Sequence, residues 1–191
     1  MKLHIYLFRH GKTFYNKNGW FTGWKDSKLA PEGIKHARTI ARKLKNKKFQ
    51  AAFQTHLSRS KDTLKPVLKY HPECKKIITD DRMIERNYGI YSGMSHDSFI
   101  QKYGERKYQE VHRGWDAHIP KGENFRQVEK RVKPFIKYLI GFMKKNKVSV
   151  AISSHGNSIR LFRKIWEKAS IKDTVSWFIP YDKVYDYTID V

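Results

Sequence analysis

Leu7-Phe8-Arg9-His10-Gly11-Lys12-Thr13 is the stretch from which the fold of this chain can be predicted. It ends an apolar run, residues 3–8, whose odd and even positions fall on two faces as in a β-strand. Arg9, His10 and Gly11 then place a cation, an imidazole and a residue without a Cβ atom at the carboxyl end of that strand. Ligands of open α/β sheets bind at this edge, so the stretch predicts both a sheet and a binding site.

A second element of the same kind lies late in the chain. Residues 148–152 form another apolar run, and Ser153-Ser154-His155-Gly156-Asn157 follows it. If both runs are strands of one sheet, their carboxyl ends can bring His10 and His155 into one pocket. We therefore expect the two imidazoles to act together.

The rest of the chain alternates between strand and helix patterns. Further strands are predicted at 49–54, 77–79 and 184–189, and helices that begin at Pro31, near Ser58, near Ser95, near Glu123 and at Asn157. The first of these helices is expected to bury Ile34, and serines are expected to cap the second. No helix is predicted over 104–120. Strands alternating with helices indicate a three-layer α/β/α sandwich with a mostly parallel sheet, in a single domain that spans 1–191.

The composition indicates a folded protein without disulfides. Hydrophobic residues make up 39% of the 191 residues, too many for a disordered chain. The single cysteine, Cys74, excludes an intramolecular disulfide, which suits a reducing cytosol. No apolar run has the length of a membrane span, and His4 and Arg9 interrupt the only N-terminal apolar stretch. We therefore expect a cytoplasmic protein that does not enter membranes, either a monomer or a homodimer.

The chain is strongly basic. It has 40 lysines and arginines against 18 aspartates and glutamates, a formal net charge of +22. Such a charge attracts phosphate groups, whether they belong to metabolites or to nucleic acids. Much of it is expected on solvated helix faces, and no RNP, zinc-finger or basic-zipper pattern is present. A nucleic-acid partner is therefore the less favoured interpretation.

The residues around the two His-Gly turns suit phosphoryl transfer. A neutral imidazole is a good nucleophile when an acceptor holds its other nitrogen, and the guanidinium groups of Arg9 and Arg59 match phosphate oxygens. Glu85 lies in an irregular segment and could give a proton to the departing oxygen. Each of these residues also has an ordinary interpretation as a cap, a surface ion pair or a buried structural residue. Those interpretations predict no relation between the two turns.

The histidines do not predict a metal site. Although the chain has 9 of them, no two are spaced i,i+4 with a carboxylate between them, and the lone cysteine has no partner. We expect chemistry that uses no metal.

Leu7-Phe8-Arg9-His10-Gly11 resembles the motif of the histidine phosphatase superfamily, and Ser154-His155-Gly156-Asn157-Ser158-Ile159-Arg160 resembles the second half of its site. Further segments are similar to the 2,3-bisphosphoglycerate-dependent phosphoglycerate mutases: Phe21-Thr22-Gly23-Trp24, Leu57-Ser58-Arg59, Glu85-Arg86-Asn87-Tyr88-Gly89, Tyr103-Gly104-Glu105 and Gly122-Glu123-Asn124. The segments follow one another in the same order and cover most of the chain. The resemblance implies the fold of these mutases.

The resemblance also implies a role for each matching residue. His10 would carry the phosphoryl group, and Glu85 would act as general acid and base. Arg9, Arg59 and His155 would bind the phosphoryl group. The phosphate and substrate would be bound by Asn16, Thr22, Gly23, Tyr88, Arg113, Gly156 and Asn157, with Arg113 paired to a carboxylate. Such enzymes use no metal, and a mutase of this kind is primed by 2,3-bisphosphoglycerate and interconverts 3-phosphoglycerate and 2-phosphoglycerate.

The chain departs from the mutase pattern in parts that bind substrate or close the site. His96 stands where the mutases have a substrate-binding lysine, and His112-Arg113 stands where they have paired arginines. The segment 115–122 is short, and little chain follows Val184. Such losses would let water reach phosphorylated His10, and water as the acceptor makes a phosphatase.

Three functions are compatible with these observations. The favoured one is a phosphohistidine enzyme of the phosphoglycerate mutase type. The second is a phosphatase that hydrolyses small phosphorylated metabolites at the same site. The third is a nucleic-acid-binding protein on this scaffold, against which the retention of every proposed phosphate-binding residue argues.

Overall fold

A five-stranded sheet forms the centre of the molecule. The computed structural model describes Met1–Val191, and its strands are β1 (Lys2–Arg9), β2 (Ala51–Gln54), β3 (Lys76–Thr79), β4 (Val150–Ser154) and β5 (Val184–Asp190). Their order across the sheet is β3-β2-β4-β1-β5, with β5 antiparallel to β1 and every other pair parallel. The predicted mostly parallel sheet is therefore confirmed.

Helices cover both faces of this sheet. The helices of the chain are α1 (Phe14–Lys17), α2 (Pro31–Leu44), α3 (Ser58–Leu68), α4 (His96–Tyr103), α5 (Glu105–Arg113), α6 (Phe125–Asn146), α7 (Gly156–Glu167) and α8 (Ile171–Ser176), of which α2 and α3 cover one face and α6 and α7 the other. On β1, Tyr6 and Phe8 pack with α2 and α3, whereas the odd-numbered residues 3, 5 and 7 pack with α6 and α7. This is the predicted three-layer sandwich, because successive strand side chains enter opposite cores. None of the helices has the combination of length and apolar surface that crossing a bilayer requires.

The pairing of β1 with β4 brings the two His-Gly turns together. In this parallel ladder Arg9 is paired with Ser154, and the backbone N–H of His10 donates to the Ser154 carbonyl at 2.9 Å. The next residues along the two strands, His10 and His155, therefore lie side by side at the carboxyl edge of the sheet. Thr55, which follows β2, lies beside them on the other side of β4.

A third apolar cluster lies outside the two sheet cores. Phe99 of α4 and Val111 of α5 pack there with Phe21 and Tyr88. The prediction of no helix over 104–120 was wrong, since α5 occupies Glu105–Arg113. Val111 is its only buried residue, so α5 lacks the apolar stripe by which an amphipathic helix is recognised.

Two local predictions about the helices were also wrong. Ile34 is 45% exposed, and the buried residues of α2 include Gly33 instead, because the N-terminal turn of the helix lies against the backbone of Lys12. No serine side chain caps α3. The carboxylate of Asp26 takes that place and accepts from the backbone N–H of Ser58 at 3.1 Å.

Candidate active site

A cavity of about 280 Å³ opens at the carboxyl edge of β1 and β4. All but one of the predicted site residues line it: Arg9, His10, Asn16, Thr22, Gly23, Arg59, Glu85, Tyr88, Arg113, Gly156 and Asn157. The exception, His155, is fully buried next to His10, with the two ring centroids 5.0 Å apart. The fold thus brings every predicted site residue to one place.

His10 is held in the tautomer that a nucleophile needs. Its Nδ1 lies 2.7 Å from the carbonyl oxygen of Gly11, which can only accept a hydrogen bond. The proton is therefore on Nδ1, and Nε2 keeps its lone pair. Burial lowers the pKa of His10 well below its usual range, and the positive charges of Arg59 and Arg9 lower it further. The imidazole is consequently neutral at physiological pH.

Arg9 and Arg59 are held by backbone carbonyls, and the Nε of each is buried without a partner in the protein. Arg9 donates from Nη1 to Ile179 at 2.8 Å. Arg59 donates from its two terminal nitrogens to Lys25 at 2.9 Å and to Gly23 at 2.7 Å. The Nε atoms of both arginines are buried without a partner in the protein. An anion bound beside these two groups would give each of them an acceptor.

His155 provides a third unpaired group beside His10. Its Nε2 lies 2.8 Å from the hydroxyl of Thr55, and its Nδ1 is buried without a partner. Burial lowers the pKa of His155 well below its usual range, and the charge of Arg59 adds to the effect. When the Thr55 hydroxyl donates to Nε2, the proton of the neutral ring is on Nδ1 and is available to an anion.

Glu85 presents its carboxyl group close to both histidines. Oε1 accepts from the backbone N–H groups of Arg86 at 2.7 Å and of Asn157 at 3.2 Å, whereas Oε2 makes no hydrogen bond within the protein. The ligating atoms of Glu85, His10 and His155 all lie within 4.8 Å of one another. A carboxyl group at this range can exchange a proton with an oxygen that leaves or attacks a phosphorus atom on His10.

The irregular segment that carries Glu85 is fixed by hydrogen bonds that its backbone carbonyl groups accept. The hydroxyl of Ser154 donates to the carbonyl of Met83 at 2.9 Å, and Ser158 donates to the next carbonyl along the chain. Arg131 donates to the carbonyl of Glu85 at 3.0 Å. Hydrogen bonds from β4, α6 and α7 thus hold in place a segment that has no regular secondary structure.

Arg113 and Arg160 form a second pair of cations in the cavity. Arg113 donates to the carbonyl of Val175 at 2.8 Å, and Arg160 donates to that of Trp177 at 2.9 Å and to the side chain of Asn157 at 2.6 Å. Burial lowers the pKa of Arg160 to about 10, with a further contribution from the charge of Arg113. Arg160 therefore stays charged at neutral pH, and with the guanidinium of Arg113 beside it the cavity suits a ligand with two anionic groups.

His96 and His112 line the same cavity but carry no charge at neutral pH. Burial, followed by the charges of Arg113 and Arg86, lowers the pKa of His112 to about 3. Burial also lowers the pKa of His96, whose Nδ1 lies 3.3 Å from the Tyr108 hydroxyl. Two uncharged rings therefore line this part of the cavity.

The cluster of His10, Glu85 and His155 is compact enough for its donor atoms to be considered as metal ligands. The charges of Arg9 and Arg59, which already lower the pKa of His10, would repel a metal cation placed there. The electrostatics of the cavity thus favour an anion over a cation.

Several residues of the cavity wall were not predicted as site residues. They are Gly19, Trp20, Phe21, Arg160, Phe178 and Tyr181. Arg160 could have been found from its spacing, because it lies three residues after Asn157 on α7 and therefore on the same helix face. Phe178 and Tyr181 follow no motif, and only the tertiary fold brings them to the cavity.

Comparison with known proteins identifies the family. A family model described as the histidine phosphatase superfamily (branch 1) matches residues 5–190. The phosphoglycerate mutase of Schizosaccharomyces pombe is 35% identical over 161 residues, which cover 82% of this chain and 75% of that protein. The 2,3-bisphosphoglycerate-dependent phosphoglycerate mutase of Parvibaculum lavamentivorans is 31% identical over 190 residues, 97% of this chain and 90% of that protein.

Solved structures share the fold at lower identity. The α-ribazole phosphatase of Shigella flexneri superposes with a TM-score of 0.81 at 22% identity, covering 99% of this chain and 91% of that one. A phosphoglycerate mutase from Bacillus anthracis superposes with a TM-score of 0.79 at 22% identity, covering 98% and 88%. The same sandwich thus serves mutases and phosphatases. Since the family model and the curated relatives match over most of its length, this chain belongs to branch 1 of the histidine phosphatase superfamily, whose members are phosphotransferases or hydrolases.

Proposed function

We propose that this protein is a 2,3-bisphosphoglycerate-dependent phosphoglycerate mutase that acts through a phosphohistidine at His10. The observation that carries the proposal is the set of unpaired buried nitrogens around His10, which are Nε of Arg9, Nε of Arg59 and Nδ1 of His155. A phosphoryl group bonded to Nε2 of His10 would bring acceptor oxygens close to these side chains, since the ring of His155 lies 5.0 Å from that of His10 and the charges of Arg59 and Arg9 act on His10. Its negative charge would also offset the positive charges that lower the pKa of His10.

In the first step, the 2-hydroxyl of 3-phosphoglycerate attacks the phosphorus atom on phosphorylated His10. Glu85 accepts the hydroxyl proton, a P–O bond forms, and the P–N bond breaks with its electron pair returning to Nε2. The product is 2,3-bisphosphoglycerate. In the second step, Nε2 attacks the phosphorus on the 3-oxygen, the P–O bond breaks, and Glu85 returns its proton to that oxygen. The enzyme is phosphorylated again and 2-phosphoglycerate leaves.

Two further observations are consistent with a mutase. Arg113 and Arg160 supply positive charge beyond that of Arg9 and Arg59, as a substrate with a phosphate and a carboxylate requires. The match with the mutase of Parvibaculum lavamentivorans covers 97% of this chain and 90% of that protein, so little of either is unmatched. The shortness of this chain is therefore compatible with a mutase.

The test is a rapid-quench experiment with labelled 2,3-bisphosphoglycerate, followed by product analysis with 3-phosphoglycerate. We expect an acid-labile phosphoprotein and release of 2-phosphoglycerate faster than free phosphate. His10→Ala should abolish both signals. The matched control is His71→Ala, since His71 and His10 are each 2% exposed but His71 lies outside the cavity. Turnover that survives His10→Ala would refute the proposal.

A phosphatase for small phosphorylated metabolites is the second candidate. The observation that favours it is the uncharged state of His96 and His112, which leaves the cavity fewer charges with which to bind a bisphosphate. With a weakly held bisphosphate, water would take the phosphoryl group from His10 and release free phosphate.

A double variant distinguishes the two candidates. His96→Lys combined with His112→Arg restores both cations of the mutase pattern. If the wild type is a mutase, it already forms 2-phosphoglycerate as its main product, and the variant should change mainly its affinity for 2,3-bisphosphoglycerate. If the wild type releases mostly free phosphate and only the variant forms 2-phosphoglycerate, the phosphatase assignment is correct.

A further inference from the structure

One stretch of backbone, residues 175–181, holds three arginines of the cavity. Its alternate carbonyl oxygens each accept a hydrogen bond from one of them: Arg113 to Val175 at 2.8 Å, Arg160 to Trp177 at 2.9 Å and Arg9 to Ile179 at 2.8 Å. We refer to this stretch as the arginine-binding segment. The side chain of its last residue, Tyr181, also contacts one of these arginines, Arg9, which lies beside His10.

The ring of Tyr181 packs on the guanidinium of Arg9. Its centroid lies 4.0 Å from Cζ of Arg9, within the range of a cation–π contact. The imidazole of His36, on α2, stacks on the same ring with centroids 5.2 Å apart and planes 5° from parallel. Lys43, also on α2, donates to the carbonyl of Asp182 at 2.5 Å. Helix α2 thus fixes the ring that contacts Arg9.

Two contacts orient the guanidinium of Arg9. Its Nη1 donates to the carbonyl of Ile179, and the ring of Tyr181 packs on its face. Gly156 leaves room on another side, where an added Cβ would make ordinary van der Waals contact with Cζ at 3.4 Å. The Nε of Arg9 is buried and has no partner in the protein. An ordered guanidinium loses less conformational entropy when it binds an anion.

Tyr181 also lies close to the reacting residue. Its ring centroid is 6.4 Å from that of His10, and Tyr181 lines the same cavity. The hydroxyl of Tyr181 donates to no group of the protein, so the packing of the ring accounts for all its contacts with Arg9 and His36.

We propose that Tyr181 is a positioning residue whose ring holds the guanidinium of Arg9 in the orientation that binds the phosphoryl group on His10. The proposal rests on the proposed function, because it assumes that Arg9 binds that group. It assigns the role to the ring and none to the hydroxyl. Tyr181→Phe should therefore behave like the wild type, and Tyr181→Leu should not.

The experiment measures the dissociation constant of orthovanadate, a phosphoryl analogue, for four single variants and one double variant. We expect Tyr181→Leu to weaken binding about tenfold, the size of a partly buried cation–π contact, and Tyr181→Phe to leave it unchanged. In an Arg9→Met background, Tyr181→Leu should have no further effect, because the residue it acts through is gone. Tyr70→Leu is the matched control: it removes an exposed tyrosine over Lys45, outside the cavity.

The possible outcomes separate this proposal from the proposed function. Wild-type protein that does not bind vanadate would overturn both. If the wild type binds but Tyr181→Leu binds equally well, or loses as much affinity in the Arg9→Met background, only the positioning role is overturned. Equal losses in Tyr181→Phe and Tyr181→Leu would overturn it as well. Should Tyr181→Leu fail to fold, Tyr181→Thr takes its place in the same comparison.

Discussion

Ser60 and Ser153 are joined by a reciprocal pair of hydrogen bonds. The hydroxyl of each residue donates to the carbonyl of the other, both at 2.8 Å, and both residues are buried. Ser60 follows Arg59 on α3, and Ser153 comes two residues before His155. The pair therefore fixes the distance between Arg59 and His155, which are both proposed to bind the phosphoryl group. Neither serine lines the cavity.

Replacing Glu85 should reveal its role in proton transfer. Glu85→Gln keeps an acceptor for the backbone N–H groups of Arg86 and Asn157 but cannot exchange a proton. We expect phosphorylation of His10 to slow by about 10²- to 10⁴-fold for substrates with poor leaving groups and much less for aryl phosphates. Single-turnover rates across a leaving-group series provide the measurement. Equal slowing for all substrates would instead assign Glu85 a role in binding or structure.

Binding of a dianion should be coupled to uptake of a proton by His155. In the free cavity, burial and the charge of Arg59 hold the pKa of His155 well below its usual range. A dianion at Nδ1 opposes both effects and raises that pKa, so binding tightens as the pH falls. Calorimetry with tungstate in buffers of different ionisation enthalpy should show net proton uptake near pH 6. His155→Asn should abolish that uptake, and its persistence in the variant would point to another group.

Lowering the pH should destabilise the fold even at pH values at which carboxylates are still ionised. Burial is the main reason why the pKa values of His10, His112 and His155 lie below the ordinary value of 6.5. The unfolded chain therefore binds these protons first, and stability falls as the pH drops below that value. Each group costs about 1.4 kcal/mol per pH unit. Urea denaturation between pH 7 and pH 5 measures the slope, which should decrease in His112→Gln.

Two glycine substitutions should have opposite effects on stability. A Cβ at Gly33 would lie 2.0 Å from the carbonyl oxygen of Lys12, so Gly33→Ala must displace the backbone after His10. We expect a loss of about 3 kcal/mol, at the upper end of overpacking effects. Gly141, in α6, has nothing within 4 Å of such an atom, and Gly141→Ala should add about 1 kcal/mol. Thermal unfolding of the two variants tests the pair, and a destabilised Gly141→Ala would contradict this account.

The residues near the strand ends could be predicted because local signals and tertiary position coincide there. The alternating run of residues 3–8 identifies β1, and the rule that ligands bind at the carboxyl edge then locates His10. The same reasoning applies to β4 and His155, and the register of the two strands brings both into one site. The resemblance to the mutases added Tyr88 and Arg113, which lie on elements that carry no strong pattern of their own.

Other parts of the site were beyond such reasoning because their positions depend on packing between distant segments. Tyr181 follows α8, a helix of six residues that the sequence analysis did not predict. Its place beside Arg9 depends on the antiparallel return of β5 along β1, which no local pattern encodes. The buried, unpaired donors of Arg9 and Arg59 are likewise visible only once their neighbours are known.

The arginine-binding segment limits how its own length can change. Carbonyl groups along extended backbone point alternately to opposite sides, and Trp177 and Ile179 share a side because they are two residues apart. Inserting one residue between them would turn the second carbonyl away from Arg9, and inserting two would restore its direction but displace it by about 7 Å along extended chain. The spacing of these two residues should therefore be invariant in length, because either insertion separates the acceptors of Arg160 and Arg9.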